Sequence, residues 1–282
     1  MRKIWIYIHI PKCGGSTFAD ILRRNYGPGF MTTNSIINNY QYRQDQVLDI
    51  LDHYPDCTCL AGHKLSLDLP YASVRYQLTV STFVRDPVDR FLSAYFYFRH
   101  HSEWGIPEAK ALNLDDYIQW ALVEGNQPLY INGQTKFLSG QASSDGLEVV
   151  RKSVEDGRLL LLPLARFAEV LVVLRRKYPA QFTDTWYKPR NVSNKDQVAT
   201  LEQRALIGQF CQIDQELCRM AESFFDQLKA NCFPVATEFE PALSSLQKQA
   251  GFDGLRGRLG RKGASLLRKA ADILEGKASS TG

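Results

Sequence analysis

The sequence predicts an α/β fold around a central, mostly parallel sheet, and three observations carry that prediction. Apolar runs at Ile4–Ile10 and Leu159–Leu164 are continuous rather than alternating, as in strands covered on both faces, and Leu78–Val84 is a further strand rich in β-branched residues. Segments with helical spacing separate the runs, which is the pattern of crossover connections between parallel strands. The first run also ends in a glycine turn, PKCGGST, that leads straight into a helical pattern.

In chain order, Ile4 to Ile10 is the first strand. The helix after the glycine turn presents Phe18, Ile21 and Leu22 on one face, and Gly27-Pro28 stops it. Beyond a polar stretch to Tyr42, Val47, Ile50 and Leu51 mark a second helix. Cys57 to Ala61 is a short strand ending at Gly62-His63. Leu78–Val84 is a longer one and runs into Arg85-Asp86-Pro87, where Asp86 suits an N-cap and Pro87 the first helical position. Val88, Phe91, Leu92, Tyr95 and Phe98 share the next helical face. Further helices are expected at Leu114–Leu122, Ala168–Lys177, Asp196–Phe210 and Asp214–Leu228, with a strand at Leu159–Leu164.

Composition narrows the function. Of 282 residues, 44% are hydrophobic and 23% charged, which is ordinary for a globular chain able to bury a full core. The net charge of +4 is unevenly placed: residues 245–282 carry +5 and the remainder −1. The body is therefore not a nucleic-acid binder, and an anion site within it has to be local. A domain over 1–240 and a basic, flexible tail over 241–282 follow, because glycines at 251, 254, 257, 260 and 263 punctuate the basic residues. Ala264–Leu274 has the spacing of a short amphipathic helix, so a weak membrane-surface or partner contact is the alternative to a solvated tail. No apolar run approaches the roughly 18 residues of a membrane span. The N-terminal apolar stretch ends at Pro11 and Lys12 without a cleavage site, so a cytoplasmic setting with six reduced cysteines is expected. Cys57 and Cys59 have no second pair of ligands, and no metal is expected.

The glycine turn carries the chemistry. Gly14 and Gly15 let the backbone approach an anion closely, the helix that follows presents its positive end, and Ser16 and Thr17 add hydroxyls. Lys12 precedes the glycines. The nucleotide triphosphatase signature instead places its lysine after them, with the next hydroxyl on magnesium, so this is a different cradle. A second anion clamp lies about 70 residues downstream: Arg85 at the end of a strand and Ser93 two turns into the next helix suit a terminal phosphate. Read alone, Arg85 is equally an ion-pair partner for Asp89.

HIPKCGGST followed by VRDPVDRFLSAY resembles the sulfotransferases that use 3′-phosphoadenosine 5′-phosphosulfate, most closely the branch with heparan sulfate 2-O-sulfotransferase and its bacterial relatives. AGHKL, NGQTKFLSG, LARFAEVLVVLRR, NVS at 191–193 and DQELCRMAESFF extend the resemblance over residues 3 to 230. It implies a P-loop-like, three-layer α/β domain. It implies that Lys12, Cys13, Gly14, Gly15, Ser16 and Thr17 hold the 5′-phosphosulfate, that Arg85 and Ser93 hold the 3′-phosphate, and that Asn191 and Ser193 lie on a loop closing over the nucleotide. Cys13 departs from the threonine often found there, which is harmless if its backbone N–H does the binding. The resemblance favours a carbohydrate hydroxyl as acceptor.

A general base is then needed, and histidine titrates in the useful range. His9 lies within the first strand and reads as a packed residue, His53 ends a helix, and His100-His101 follow a helix near solvent. His63 follows a strand and so falls on the carboxyl edge of the sheet, where open α/β sheets bind ligands. It also matches the catalytic histidine of the resembled branch. Lys12 would stabilise the leaving phosphate. Two other readings stay open at this point: a nucleotide kinase using the same loop, and a non-catalytic binder of nucleotides or sulfated glycans.

Overall fold

Five consecutive residues of the first strand, Ile4 to Ile8, are at most 3% exposed. Side chains of a strand alternate between faces, so such a run requires layers above and below the sheet. The computed structural model, which describes residues 1–33, 41–100, 106–127, 129–188 and 198–248, shows this arrangement. Its elements run β1 (Arg2–Ile8), α1 (Gly15–Tyr26), β2 (Phe30–Thr32), α2 (Gln44–His53), β3 (Cys59–Gly62), β4 (Tyr76–Val84) and α3 (Pro87–His100). They continue through α4 (Pro107–Ala111), α5 (Leu114–Ile118), α6 (Gly133–Ser139), α7 (Ser144–Glu155), β5 (Leu159–Pro163), α8 (Phe167–Lys177), α9 (Leu201–Gln209), α10 (Gln212–Cys232) and a helix at 239–248, α11. Among the described residues no helix is long and apolar enough to cross a membrane.

The strands form one sheet in the order β2-β3-β1-β4-β5, and every pairing is parallel. All carboxyl ends therefore share one rim. The chain leaves β1 toward β2 and β3 on one side, then crosses to β4 and β5 on the other, so β1 marks the switch point at which such sheets open a crevice. Side chains tie the centre together beyond the ladder: Trp5 Nε1 donates to Ser81 Oγ at 2.9 Å, and Thr82 Oγ1 donates to the Ile8 carbonyl at 2.8 Å. A second apolar cluster joins α3 to the segment after it, with Phe91 edge-on to Tyr130 and Tyr95 tilted against Tyr117.

Several expectations shift in detail. β1 ends at Ile8, so His9 and Ile10 lie beyond it. The helix expected at Leu114–Leu122 is α-helical only to Ile118; a π-helical turn at Gln119–Val123 follows, with Glu124 N–H donating to the Gln119 carbonyl five residues back. The helix expected from Asp196 begins at Leu201, where Thr200 Oγ1 accepts from Gln203 N–H as its cap. The boundary at 240 is placed too early: α11 packs Phe239 and Leu246 into the core, and Phe239 meets the Phe233 ring edge-on while Lys229 Nζ sits 3.7 Å from its ring centroid. The tail from 249 lies outside the described residues.

A buried carboxylate locks α6 to α10. Asp214 is fully buried and accepts from Gln134 N–H, Thr135 N–H and Thr135 Oγ1, each at 2.8–2.9 Å, while Asn132 Oδ1 accepts from Ile213 and Asp214 N–H. Each helix start thus supplies the other's cap. Removing the carboxylate leaves three buried donors without an acceptor, so Asp214→Ala is expected to cost about 3 kcal/mol or more in urea unfolding. Asp214→Asn should recover part of that loss.

Candidate active site

The turn after β1 is shaped by two arginines from beyond β4. Arg90, only 6% exposed, donates from Nε to the Pro11 carbonyl at 3.2 Å, and Arg85 donates from Nη1 to the Lys12 carbonyl at 3.2 Å. These bonds hold Lys12 at φ 69°, a conformation that residues with a Cβ seldom adopt. Gly14 follows at φ 73°, where a Cβ would also strike Leu164. At Gly15 a Cβ would overlap the His9 ring. Gly14 is therefore required by the turn and Gly15 by space. α1 begins here with no acidic residue in its first turn and no side-chain cap. Its positive end is left for an anion.

Lys12, Gly14, Gly15, Ser16 and Thr17 all line one cavity of about 960 Å³. Cys13 does not line it. Its thiol is fully buried and donates to Gln134 Oε1 at 3.3 Å, its N–H donates to the Ile10 carbonyl, and burial pushes its pKa up to about 11. Cys13 thus anchors the turn from below, through its thiol on Gln134 and its N–H on the Ile10 carbonyl. Lys12 Nζ stands 3.6 Å from the Tyr97 ring centroid. Burial, with the Arg85 guanidinium adding to it, lowers the lysine to about 8. The ammonium is held in a partly dry, already cationic corner, where a phosphate oxygen is a better partner than water.

The second clamp opens into the same cavity. Arg85 and Ser93 both line it, Ser93 from the second turn of α3. The alternative pairing of Arg85 with Asp89 does not form; Asp89 pairs with Arg204 at 3.1 Å. Asp86 Oδ1 accepts from Asp89 N–H at 2.9 Å, the N-cap expected of it. Arg85 instead reaches back to the glycine turn, so the two clamps touch.

His63 lines the cavity just beyond β3, as its place in the sequence requires. Its Nδ1 lies 2.6 Å from the His9 carbonyl oxygen. A carbonyl only accepts, so Nδ1 carries the proton and Nε2 keeps its lone pair. Burial lowers the pKa of His63, with the bond to His9 working in the opposite direction, so the ring is neutral at pH 7. His9 is more than a packed strand residue. Its ring lies 4.0 Å from that of His63, lines the cavity, and is lowered to about 3 by burial and by its neighbour. The chain Gly15–His9–His63 brings the base candidate to the edge of the anion loop.

Aromatic and aliphatic side chains form two further walls. Leu164, Phe167 and Tyr187 stand on the β5 side, Tyr97 and Phe98 on the α3 side. Sequence reading passed over Tyr97 and Gln134. Tyr97 was findable, being four residues beyond Ser93 and so on the same helical face. Asn191 and Ser193 lie outside the described residues, as does His101.

Residues 3–113 match a family model described as "Sulfotransferase family". No curated protein matches the chain. The matched stretch is less than half of the chain, but it holds Lys12, the glycine turn, His63, Arg85 and Ser93. Over that stretch the chain is similar to sulfotransferases, and the similarity supports a transferase that moves a sulfuryl group.

Proposed function

We propose that this protein transfers a sulfuryl group from 3′-phosphoadenosine 5′-phosphosulfate to an acceptor hydroxyl, with His63 as base and Lys12 stabilising the leaving phosphate. One observation carries the reading: Arg85 donates to the carbonyl of Lys12, so two anion clamps border one cavity at the switch point of the sheet. The cavity's volume is at the upper end of the range for small-molecule sites. Two cationic positions that line one cavity, with an apolar wall on the β5 side, suit a nucleotide phosphorylated at both ends.

The donor supplies a sulfur centre already bonded to a phosphate leaving group. Lys12, Gly14 and Gly15, with the Ser16 and Thr17 hydroxyls, hold the 5′ end; Arg85 and Ser93 hold the 3′-phosphate. His63 Nε2 takes the hydroxyl proton as the new oxygen–sulfur bond forms and the sulfur–oxygen bond to phosphate breaks. The electron pair stays on the phosphate oxygen. Lys12 leaves the Tyr97 face and meets that developing charge. The rings of Tyr97 and Phe98, which line the same cavity as His63, offer faces for the C–H side of a sugar ring, which accords with a carbohydrate acceptor. The cytoplasmic setting, and an acceptor that is not a nucleic acid, belong to the same proposal.

The test is an assay with ³⁵S-labelled donor against a library of carbohydrate, lipid and phenolic hydroxyls. A labelled product that disappears in His63→Ala is expected. Tight binding of 3′-phosphoadenosine 5′-phosphate with no labelled product from any acceptor would make the protein a binder instead.

A further inference from the structure

Gln134 sits between the two clamps, and its side chain is fully buried. Its Oε1 accepts from Arg85 N–H at 2.9 Å while its Nε2 donates to the Arg85 carbonyl at 2.8 Å. The same Oε1 accepts the Cys13 thiol proton at 3.3 Å. One amide thus joins the main chain of the arginine clamp to the floor of the glycine turn. It stands on firm ground, because Gln134 N–H is bound by the buried Asp214. Cys218 Sγ adds a second donor to the Arg85 carbonyl at 3.2 Å.

The need for such a brace follows from where Arg85 lies. β4 ends at Val84 and α3 begins at Pro87, so neither ladder nor helix fixes residue 85. A buried main-chain N–H and C=O outside regular structure both require partners. Gln134 satisfies both with one rigid planar group, and so fixes the point from which the guanidinium reaches. A fork that binds phosphate through directed N–H groups is sensitive to that point in a way a flexible lysine is not.

We propose that Gln134 is a positioning residue that sets selectivity for a 3′-phosphorylated nucleotide by fixing Arg85 relative to the glycine turn. The inference rests on the nucleotide reading above and adds to it a residue 49 positions from the group it controls.

The experiment is calorimetric titration of the full chain with 3′-phosphoadenosine 5′-phosphate and with adenosine 5′-phosphate, which lacks the 3′ group. The parent protein should prefer the former by about 100-fold, the scale of a charge-assisted phosphate contact. Gln134→Met keeps the length and removes both hydrogen bonds to Arg85 together with the one from Cys13. It should reduce that preference to below about 10-fold while adenosine 5′-phosphate binds within about 3-fold of the parent. Gln134→Glu guards against a misfolded methionine variant. Its carboxyl donates to the Arg85 carbonyl only when protonated, so its preference, taken relative to the parent at each pH, should recover as pH falls from 8 to 5.5. A merely structural role would weaken both ligands together and show no such recovery. Preference retained in both variants, or equal loss for both ligands, overturns the role of Gln134 alone. Equal affinities in the parent overturn the nucleotide reading and this role with it.

Discussion

Lys12→Ala is expected to lower kcat by about 10²–10³, the usual cost of removing one preorganised charge from a developing oxyanion. The effect should fall mainly on kcat. The ammonium rests on the Tyr97 ring, in a corner where burial and Arg85 already disfavour its charge. The leaving phosphate is the partner that rewards that charge most, and it carries its full negative charge only as the bond to sulfur breaks. Affinity for 3′-phosphoadenosine 5′-phosphate should also drop, because the product retains that phosphate. The same arrangement sets the alkaline side of the pH profile. The free lysine titrates at about 8, so kcat/KM should decline as pH rises through that value. The limb in kcat should lie higher, since a bound phosphate favours the ammonium. Lys12→Arg should recover little, because a longer side chain with a delocalised planar guanidinium does not put its charge where the compact ammonium does. A variant with kcat within a few-fold of the parent, measured in single turnovers, would contradict the assignment.

His63→Ala is expected to lower kcat by about 10²–10⁴ while leaving the affinity for 3′-phosphoadenosine 5′-phosphate within about 3-fold. The separation follows from the geometry: His63 is tied to the His9 carbonyl, on the β3 side of the loop, and Arg85 lies on the β4 side. Burial lowers its pKa below the usual 6.5, so the base form is present at pH 7 and is lost only as pH falls below that value. kcat/KM should therefore describe a bell whose acid limb vanishes in His63→Ala. The alkaline limb near 8 should remain in that variant's residual activity. Near-normal turnover in His63→Ala would move the base elsewhere, with His9 the first candidate by position.

Much of this site was readable because its parts are local. The anion turn, its lysine and the helix start lie within six residues, and strand, arginine, N-cap and helix follow one another from Leu78 to Ser93. Each is a short-range pattern with a direct physical cause. Gln134 leaves no such mark: an amide that pairs with a main chain 49 residues away has no periodicity. β1 ends two residues before the expected Ile10, which puts His9, a packed residue stacked on Tyr7, at the rim as well. The edge strand β2 is three residues long, too short for alternation to show. α7 carried a readable signal in its cap Ser143 and in Leu147 and Val150, which share a buried face. The π-helical turn after α5 adds one residue to a turn without changing the apolar spacing before it. The pairing of Asp89 with Arg204, 115 residues on, was likewise beyond local reading.

The central claim is that a single molecule is gripped at two points, and ³¹P NMR of 3′-phosphoadenosine 5′-phosphate titrated with the protein tests it most directly. Both phosphorus resonances should move on binding; Lys12→Ala should diminish the change at the 5′ signal and Arg85→Ala the change at the 3′ signal. If only one resonance responds, or if Arg85→Ala leaves the 3′ signal behaving as in the parent, the two-point grip does not exist.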